Sequence, residues 1–305
     1  MPAITRRTAL LSAAAAPAAL ALPASANAHD GGGHAMPRAR SFTLGDYHVT
    51  TLLSGSVPRE EPQSIFGMNV SEEDFAQVSA ENFIGTEAAQ FFFTPTLVDT
   101  GAERILFDTG LDAASLEGPL ADAGYAPADI THVVLTHMHG DHIGGMTTEA
   151  GALTYEGAAY LTGQAEYDAW AAQENEGFDT QVRPFAERFA FLGDGDAVAP
   201  GVTAMAAFGH TPGHMTYMIE SGGQQMMLIA DLANHYVWSL GYPDWEVRFD
   251  MDKEAAAASR RRVLGMLAAD RVPMIGYHMP FPAAGFVETR GEGFRYVPVS
   301  YQFMG

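Results

Sequence analysis

Three histidines and an aspartate lie within six consecutive residues, in the segment His137-Met138-His139-Gly140-Asp141-His142. In an extended segment, side chains two residues apart point the same way, so His137 and His139 can bind one ion together. Asp141 and His142 follow a turn that the glycine permits, and they can project towards a second ion. Imidazole and carboxylate ligands without a thiolate suit zinc, and they suit iron or manganese less well. The segment therefore predicts a metal site.

Three further candidate ligands each come just after an apolar run that is typical of a buried strand; they are His214, Asp231 and His278. The first cluster also follows such a run. Because ligand-bearing loops of layered α/β proteins gather at strand ends, all four groups can meet at one edge of the sheets. His210 lacks such a context and is interpreted as structural.

The elements that must position these residues are strands in runs, with helices between some of them, which indicates sheets covered by helices. The clearest helix is Lys253–Ala269, with Asp252 as its N-cap. The other predicted elements are strands at Tyr47–Leu53, Phe92–Asp99, Arg104–Asp108, His132–Thr136, Val202–Phe208, Met215–Glu220, Gln225–Ala230 and Val272–Tyr277, helices at Leu116–Ala123, Gln164–Gln173 and Thr180–Phe189, and a hairpin of Gly285–Thr289 with Arg295–Val299.

Taken together, these residues resemble the dinuclear signature of the metallo-β-lactamase superfamily. The resemblance runs from Phe42 to the C-terminus and implies an α/β fold, a four-layer αβ/βα sandwich with a dinuclear metal site at one edge of the sheets. Carried over residue by residue, it implies a first ion held by His137, His139 and His214, a second held by Asp141, His142 and His278, and Asp231 bridging both. Asp108, in a segment similar to the family's upstream Asp-x-Gly element, would orient a ligand histidine.

The resemblance also implies a hydrolase. Two divalent ions, zinc in the first place with iron, manganese or cobalt as alternatives, would hold a bridging hydroxide, because they lower the pKa of water from about 15.7 to about 7. Asp231 would hold the ions at their spacing, and Asp141 would accept a proton or orient the hydroxide. Asp141 and Asp231 are therefore the expected catalytic residues.

Two segments, Gly209–His214 and Phe281–Val299, are similar to the branch that holds methyl parathion hydrolase and quorum-quenching lactonases. That similarity favours a lactonase or esterase, with an organophosphate triester hydrolase as the alternative. A β-lactamase is less favoured, since several use a cysteine ligand and this chain has no cysteine. A glyoxalase II-type thioesterase and an iron-dependent persulfide dioxygenase are also less favoured. One departure is Asn234, at a position where many homoserine-lactone lactonases carry a tyrosine.

Substrate specificity must come from the side chains around the ions, and most candidates lie in the aromatic-rich stretch that follows Asp231. The candidate pocket residues are Phe66, Met68, His235, Tyr236, Trp238, Tyr242 and Trp245. Two other segments are interpreted differently. Phe91–Phe93 is predicted to be part of a core strand, and Arg260–Arg262 a solvated face of the long helix.

The N-terminus predicts export. Arg6 and Arg7 precede an uncharged Ala/Leu-rich run, which is followed by small-x-small cleavage patterns. These features predict a signal peptide over residues 1–28, of the twin-arginine type, and hence a periplasmic or secreted protein. Residues 29–41 are Gly-rich and predict a flexible leader, which leaves 42–305 as the hydrolase domain.

Composition narrows the partners. The formal net charge is −21, so nucleic acid and anionic lipid are unfavourable partners. The apolar run near the N-terminus is too short to predict a membrane span. The expected partner is a small uncharged ester, lactone or phosphotriester, and a homodimer is compatible with the sequence.

Overall fold

A computed structural model describes residues 37–299, and two seven-stranded sheets form its frame. The strands are β1 (Ala39–Leu44), β2 (Tyr47–Leu52), β3 (Gly55–Glu60), β4 (Ala88–Phe93), β5 (Thr96–Asp99), β6 (Arg104–Phe107), β7 (His132–Leu135), β8 (Ala159–Gly163), β9 (Phe189–Leu192), β10 (Ala197–Ala199), β11 (Val202–Ala206), β12 (Met215–Ser221), β13 (Gln224–Ala230), β14 (Met274–Gly276), β15 (Ala284–Arg290) and β16 (Gly293–Pro298). The first sheet has the order β1-β2-β5-β6-β7-β8-β9, and the second runs from β10 to β16 in chain order. Strands β3 and β4 form a separate two-stranded sheet.

Within residues 37–299, six α-helices accompany the strands. They are α1 (Glu72–Glu81), α2 (Glu117–Asp122), α3 (Gly140–Ile143), α4 (Gln164–Ala171), α5 (Glu176–Gln181) and α6 (Lys253–Asp270), with short 3₁₀ turns at Pro62–Ser64, Ala113–Leu116, Pro127–Asp129 and Arg183–Arg188. Among the described residues, none of the helices is long and apolar enough to cross a membrane.

Alternating side chains place the two sheets face to face. On β7, Val134 points into a core that it shares with Tyr217 and Leu228 of the second sheet. Its neighbours Val133 and Leu135 point the other way, into a core covered by α2, α4 and α5. Helix α6 packs on the second sheet through β15. The layers are therefore helices, sheet, sheet and helix, so the predicted αβ/βα sandwich is confirmed.

The sequence-based boundaries differ most from the structure at three places. The strand predicted over Phe92–Asp99 is two strands, β4 and β5, which belong to different sheets and are separated at Pro95. The helix predicted over Thr180–Phe189 is the end of α5 followed by a 3₁₀ turn that begins with Arg183-Pro184. Strand β1 starts at Ala39, so the last residues of the predicted flexible leader are ordered. The predicted signal peptide, residues 1–28, lies outside the described residues.

The N-terminus of α6 is held by the aspartate that the sequence predicted as its cap. The side chain of Asp252 accepts a hydrogen bond from the backbone N–H of Ala255 at 3.0 Å. A capping side chain satisfies one of the N–H groups that have no partner in the first turn of a helix. This helix also carries Arg260 into the neighbourhood of the buried polar cluster described below.

We expect Asp252→Ala to lower the free energy of unfolding by about 1 kcal/mol, because the first turn of α6 loses its acceptor. The change would be measured as a shift in the urea midpoint at an unchanged slope. Asp252→Asn, which keeps a capping oxygen, serves as the control and should shift the midpoint less. An alanine variant as stable as the parent would contradict the capping role.

Candidate metal centre

The segment that follows β7 supplies one half of a buried polar cluster. His137 is completely buried, and its Nε2 lies 3.1 Å from Nδ1 of His139. The backbone then enters the short helix α3, which carries Asp141 and His142. Because His142 is also completely buried, imidazoles from both parts of the segment face the protein interior.

Asp108 stands immediately after β6 and orients His142. Its backbone is left-handed, with φ of 62°, at a point where the chain turns sharply out of the strand. Asp108 Oδ2 accepts a hydrogen bond from His142 Nδ1 at 2.7 Å, and Oδ1 accepts one from the backbone N–H of Thr136 at 2.8 Å. With Nδ1 engaged, His142 presents Nε2 to the centre of the cluster. This is the contact that the sequence predicted for Asp108.

Asp231 follows the last residue of β13, in the second sheet, and reaches one histidine that follows a strand of the first sheet and two that follow strands of the second. Its Oδ1 lies 3.2 Å from His142 Nε2. Its Oδ2 lies 3.1 Å from Nε2 of His278 and 3.4 Å from Nε2 of His210. Asn234 donates from Nδ2 to the same Oδ2 at 2.9 Å. The carboxylate thus lies between the histidines of both parts of the cluster, where a bridging ligand would stand.

His210 rather than His214 joins His137 and His139. The ligand atoms of these three histidines lie within 4.8 Å of one another, and His210 Nε2 is 3.0 Å from His139 Nδ1. His214 has both ring nitrogens engaged by backbone groups: Nε2 accepts the N–H of Asp231 at 3.1 Å, and Nδ1 donates to a carbonyl at 3.2 Å. The structure therefore groups His210, which the sequence analysis interpreted as structural, with His137 and His139 in the place predicted for His214, and the assignment of His214 as a ligand stays a prediction.

A buried ion pair stands behind His210. His210 Nδ1 donates to Asp250 Oδ1 at 3.0 Å, and Asp250 Oδ2 accepts from Nη1 of Arg260 at 2.7 Å. The pKa of Asp250 is lowered although burial opposes the shift, because His210 and Arg260 together outweigh the burial. Arg260 is completely buried, so the prediction of a solvated face over Arg260–Arg262 is wrong for its first residue. The pair fixes the His210 ring with Nε2 facing the cluster.

The last two predicted ligands, Asp141 and His278, come together with His142, and their ligand atoms lie within 4.8 Å of one another. His278 donates from Nδ1 to the backbone carbonyl of Phe92 at 2.7 Å, which leaves Nε2 directed at the cluster. Tyr277 supports this group, since its ring packs on that of His142 with the centroids 3.9 Å apart. The hydroxyl of Tyr277 also donates to the backbone carbonyl of Asp141 at 2.6 Å. Sequence reasoning missed Tyr277, which it placed only at the end of a strand.

The donor set of this cluster fits a divalent cation. Burial lowers the pKa of His139 to about 3, so its imidazole keeps a lone pair at neutral pH. Burial opposes a charge on His142, but the neighbouring carboxylates of Asp231 and Asp108 outweigh it and raise the pKa of that histidine. Within the described chain, His142 Nε2 and Asp231 Oδ1 are buried and make no hydrogen bond. Imidazole and carboxylate atoms that converge in this way, without thiolates, fit zinc or a similar divalent ion.

A buried glutamate that sequence reasoning did not single out connects the two loops that carry the first three histidines. Glu166, on α4, accepts from the backbone N–H of Met138 at 3.0 Å through Oε1. Its Oε2 accepts from the hydroxyl of Thr211 at 2.7 Å and from the N–H of Gly213 at 2.8 Å. Burial raises the pKa of Glu166, and these donors lower it in part. The two backbone N–H groups can only donate, so these contacts stabilise the ionised carboxylate.

The close approach of the two loops depends on a glycine. A Cβ atom on Gly213 would lie 2.0 Å from the backbone nitrogen of Glu166. Any larger residue would therefore push the loop of His210 away from α4 and from the loop of His137 and His139.

A cavity of about 400 Å³ opens onto the cluster. Its walls are Arg59, Phe91, Phe93, Leu111 and Phe249, and its base includes His139, Asp141, Asp231 and His278. Phe91 and Phe93 are alternate residues of β4, so they share a face of the small β3–β4 sheet, and Arg59 pairs with Ala89 on that face. Phe91 and Phe93 are buried in a core cluster, as predicted, and they also line this cavity.

None of the pocket candidates predicted from the sequence lines that cavity. Phe66, His235 and Trp238 are buried in an aromatic cluster, in which the rings of His235 and Trp238 stack at 4.1 Å. Tyr236, Tyr242 and Trp245 line a separate cavity, and Met68 is exposed. The prediction failed because the stretch after Asp231 turns away from the metal ligands to pack on α1 and its neighbours.

Asn234 stands at the position where many homoserine-lactone lactonases carry a tyrosine. Asn234 is buried, and it holds Asp231 rather than facing the cavity. His235 Nδ1 accepts from the backbone N–H groups of Val237 and Trp238, so it is occupied within its own loop. Neither His235 nor Tyr236 lines the cavity above the cluster.

Comparison with known proteins agrees with this architecture. A family described as the metallo-beta-lactamase superfamily matches residues 94–274 of the chain. An N-acyl homoserine lactonase of Bacillus sp is 32% identical over 144 residues, which cover 42% of this chain and 54% of the relative. An N-acyl homoserine lactonase of Bacillus cereus is 28% identical over 193 residues, covering 55% of this chain and 73% of the relative. The chain thus spans about half the length of the first relative, 54%.

Solved structures match over more of the chain. AidC, described as a dizinc quorum-quenching lactonase in complex with a product, superposes with a TM-score of 0.80 at 25% identity. The match covers 87% of this chain and 99% of that one. A hydrolase of the beta lactamase superfamily, AbOPH, also gives a TM-score of 0.80, at 22% identity and over 88% of this chain and 99% of its own, and it shows the shared fold.

We expect His210→Ala to bind one fewer metal ion per chain than the parent, because one of three converging imidazoles is removed. Metal content would be measured by plasma mass spectrometry after dialysis with excess zinc. His214→Gln is the matched control, since its side-chain oxygen can still accept the N–H of Asp231, and it should retain the full metal content. Loss of an ion from the His214 variant alone would reverse the assignment.

We expect Glu166→Gln to raise the dissociation constant for zinc by about 10- to 100-fold, because an amide NH₂ would face donors from the ligand-bearing loops. Competition with a chromophoric chelator would measure the affinity. Glu156→Gln, at an exposed position, serves as the control. An unchanged affinity for zinc in the Glu166 variant would show that the contact does not position the ligands.

Proposed function

Because the chain belongs to the metallo-beta-lactamase superfamily, we propose that it is a zinc-dependent hydrolase that opens lactone rings, and that it accepts other small uncharged carboxylic esters. The observation that carries the proposal is the convergence of five histidines and two aspartates at the base of a largely apolar cavity. The named relatives, which are N-acyl homoserine lactonases, support a lactone as the substrate class.

The residues divide into two sets around a shared carboxylate. His137, His139 and His210 would hold one ion, and Asp141, His142 and His278 would hold the other, with Asp231 between them. When bound, two divalent ions lower the pKa of water to about 7 and stabilise negative charge on a carbonyl or leaving oxygen.

Asp141 is the carboxylate of the cluster that is placed to handle a proton. Its side chain is partly exposed and lines the cavity, whereas that of Asp231 is almost completely buried. Asp141 Oδ2 lies 3.4 Å from His278 Nε2, so the carboxylate is held at the base of the cavity. From there it can accept a proton from water and return it to the alkoxide that leaves when the ring opens.

The cavity walls favour an apolar substrate body. Phe91, Phe93, Phe249 and Leu111 surround the space above the cluster, and Arg59 is the one arginine or lysine among the residues that line it. Aromatic walls would bury an acyl chain and exclude water from the reacting ester. The volume of about 400 Å³ is within the ordinary range for small-molecule sites.

The decisive measurement is kcat/KM of the zinc-loaded protein on an N-acyl homoserine lactone and on a dialkyl aryl phosphate, side by side. We expect a lactone value above ~10⁴ M⁻¹s⁻¹ and a much lower value for the phosphate, since the first is in the ordinary range for an enzyme and its own substrate. Asp231→Ala should lower the lactone value by at least ~10² because it breaks the metal centre.

The reverse ranking of substrates would make the protein an organophosphate triester hydrolase. Low values for both substrates, with full metal content, would refute the lactonase proposal and leave the metal centre in place. A lactonase activity that survived Asp231→Ala would refute the role of the cluster instead.

A further inference from the structure

Phe83 lies at the C-terminal end of α1, where its exposure and its backbone conformation are both unfavourable for a monomer. Its side chain is 98% exposed, and its backbone is left-handed, with φ of 59°. The N–H of Phe83 donates to the carbonyl of Ala80 at 3.1 Å, and the N–H of Ile84 donates to that of Ser79 at 3.0 Å. These bonds form a helix end at which glycine is the usual left-handed residue, because glycine has no Cβ.

Phe83 is therefore unfavourable in both its backbone and its side chain. A phenylalanine in the left-handed region crowds its Cβ against the backbone, and a fully exposed phenyl ring gains nothing from the protein core. Nothing that Phe83 contacts within the described residues compensates for either cost. An exposed aromatic on a strained backbone is typical of a group that meets a partner.

A cavity lies beside this position. It has a volume of about 690 Å³, and Glu81 and Asn82, the residues just before Phe83, form part of its wall. Tyr236, Tyr242 and Trp245 supply an aromatic side, and the rings of Tyr242 and Trp245 stack at 4.7 Å. This cavity is separate from the one above the metal ligands and shares no lining residue with it.

The charge around this cavity is balanced, in contrast to the chain as a whole. The lining includes three arginines and three acidic residues, which are Arg261, Arg290, Arg295, Glu81, Asp244 and Glu292. The chain as a whole has 16 basic and 37 acidic residues. Two copies of so acidic a protein repel each other over most of their surface, and a neutral patch is where they can approach.

We propose that this face is a self-association surface, on which Phe83 of each copy enters the aromatic cavity of the other. Because the anchor and the cavity adjoin on one chain, the exchange is reciprocal and closes around a two-fold axis. A buried aromatic anchor in a pocket is the usual energetic centre of such an interface. The proposal is independent of the reaction at the metal centre.

Sedimentation velocity of the purified chain over a concentration series would test it. The parent protein is expected to show a monomer–dimer equilibrium. Phe83→Gly should raise the dimer dissociation constant at least about 30-fold, as for loss of an interface hot spot. The same variant should raise Tm of the dilute monomer by about 2 °C, because it relieves the left-handed strain.

Three further variants make the result specific. Phe83→Ala should weaken the dimer as glycine does but leave the monomer Tm unchanged, because the strain remains. Phe191→Ala, which removes another exposed ring on β9 of the first sheet, should leave the dimer unchanged. Tyr242→Ala should weaken the dimer and should add little to Phe83→Ala in the double variant, since both remove the same contact.

A parent chain that is monomeric at every concentration would overturn the proposal. A dimer whose dissociation constant is unchanged by Phe83→Gly would also overturn it. So would a double variant whose increase in dissociation constant equals the product of the two single increases. Lactone turnover at saturating zinc provides a separate readout, because the metal centre lies in another cavity and does not depend on this surface.

Discussion

The carboxylate of Asp231 links the two sheets at the point where both end. It belongs to the second sheet, at the end of β13, yet its oxygens lie against His142, which follows β7 of the first sheet, and against His210 and His278. These groups are buried together, and an anionic oxygen among imidazole lone pairs is costly without a positive charge to share. A divalent cation supplies that charge, so the arrangement of the loops at this edge and the binding of metal depend on each other.

Three carboxylates that are not predicted ligands hold this arrangement in place. Asp108 orients His142 from β6, Asp250 orients His210 together with Arg260 of α6, and Glu166 of α4 joins the loops of the first three histidines. Each comes from a different element, so the site is positioned from several directions at once. Burying three charged carboxylates is costly, and this cost is offset by hydrogen-bond donors to both oxygens of each one.

Much of the fold and most of the candidate ligands could be predicted from residue types and spacing. The remaining features of the site depend on contacts between distant segments. Six of the seven predicted ligands converge because each follows an apolar strand, and strands are visible as apolar runs. The choice between His210 and His214 is not visible in the same way. Both stand in one loop, and they differ in their contacts with distant residues: the N–H of Asp231 donates to His214, and Asp250 orients His210. Arg260 likewise cannot be told from Arg261 and Arg262 without knowing that Asp250 lies opposite.

The division between the two large sheets and the small β3–β4 sheet has a consequence for how this scaffold can vary. The metal ligands follow strands of the two large sheets, whereas Arg59, Phe91 and Phe93 of the cavity wall stand on β3 and β4, which belong to neither. The small sheet meets the ligand His278 in two ways: the backbone carbonyl of Phe92 accepts its hydrogen bond, and the rings of Phe91 and Phe93 pack edge-on against its imidazole. The backbone contact is independent of side-chain identity, so substitutions in these two strands would change the shape of the wall while the main support of His278 is kept.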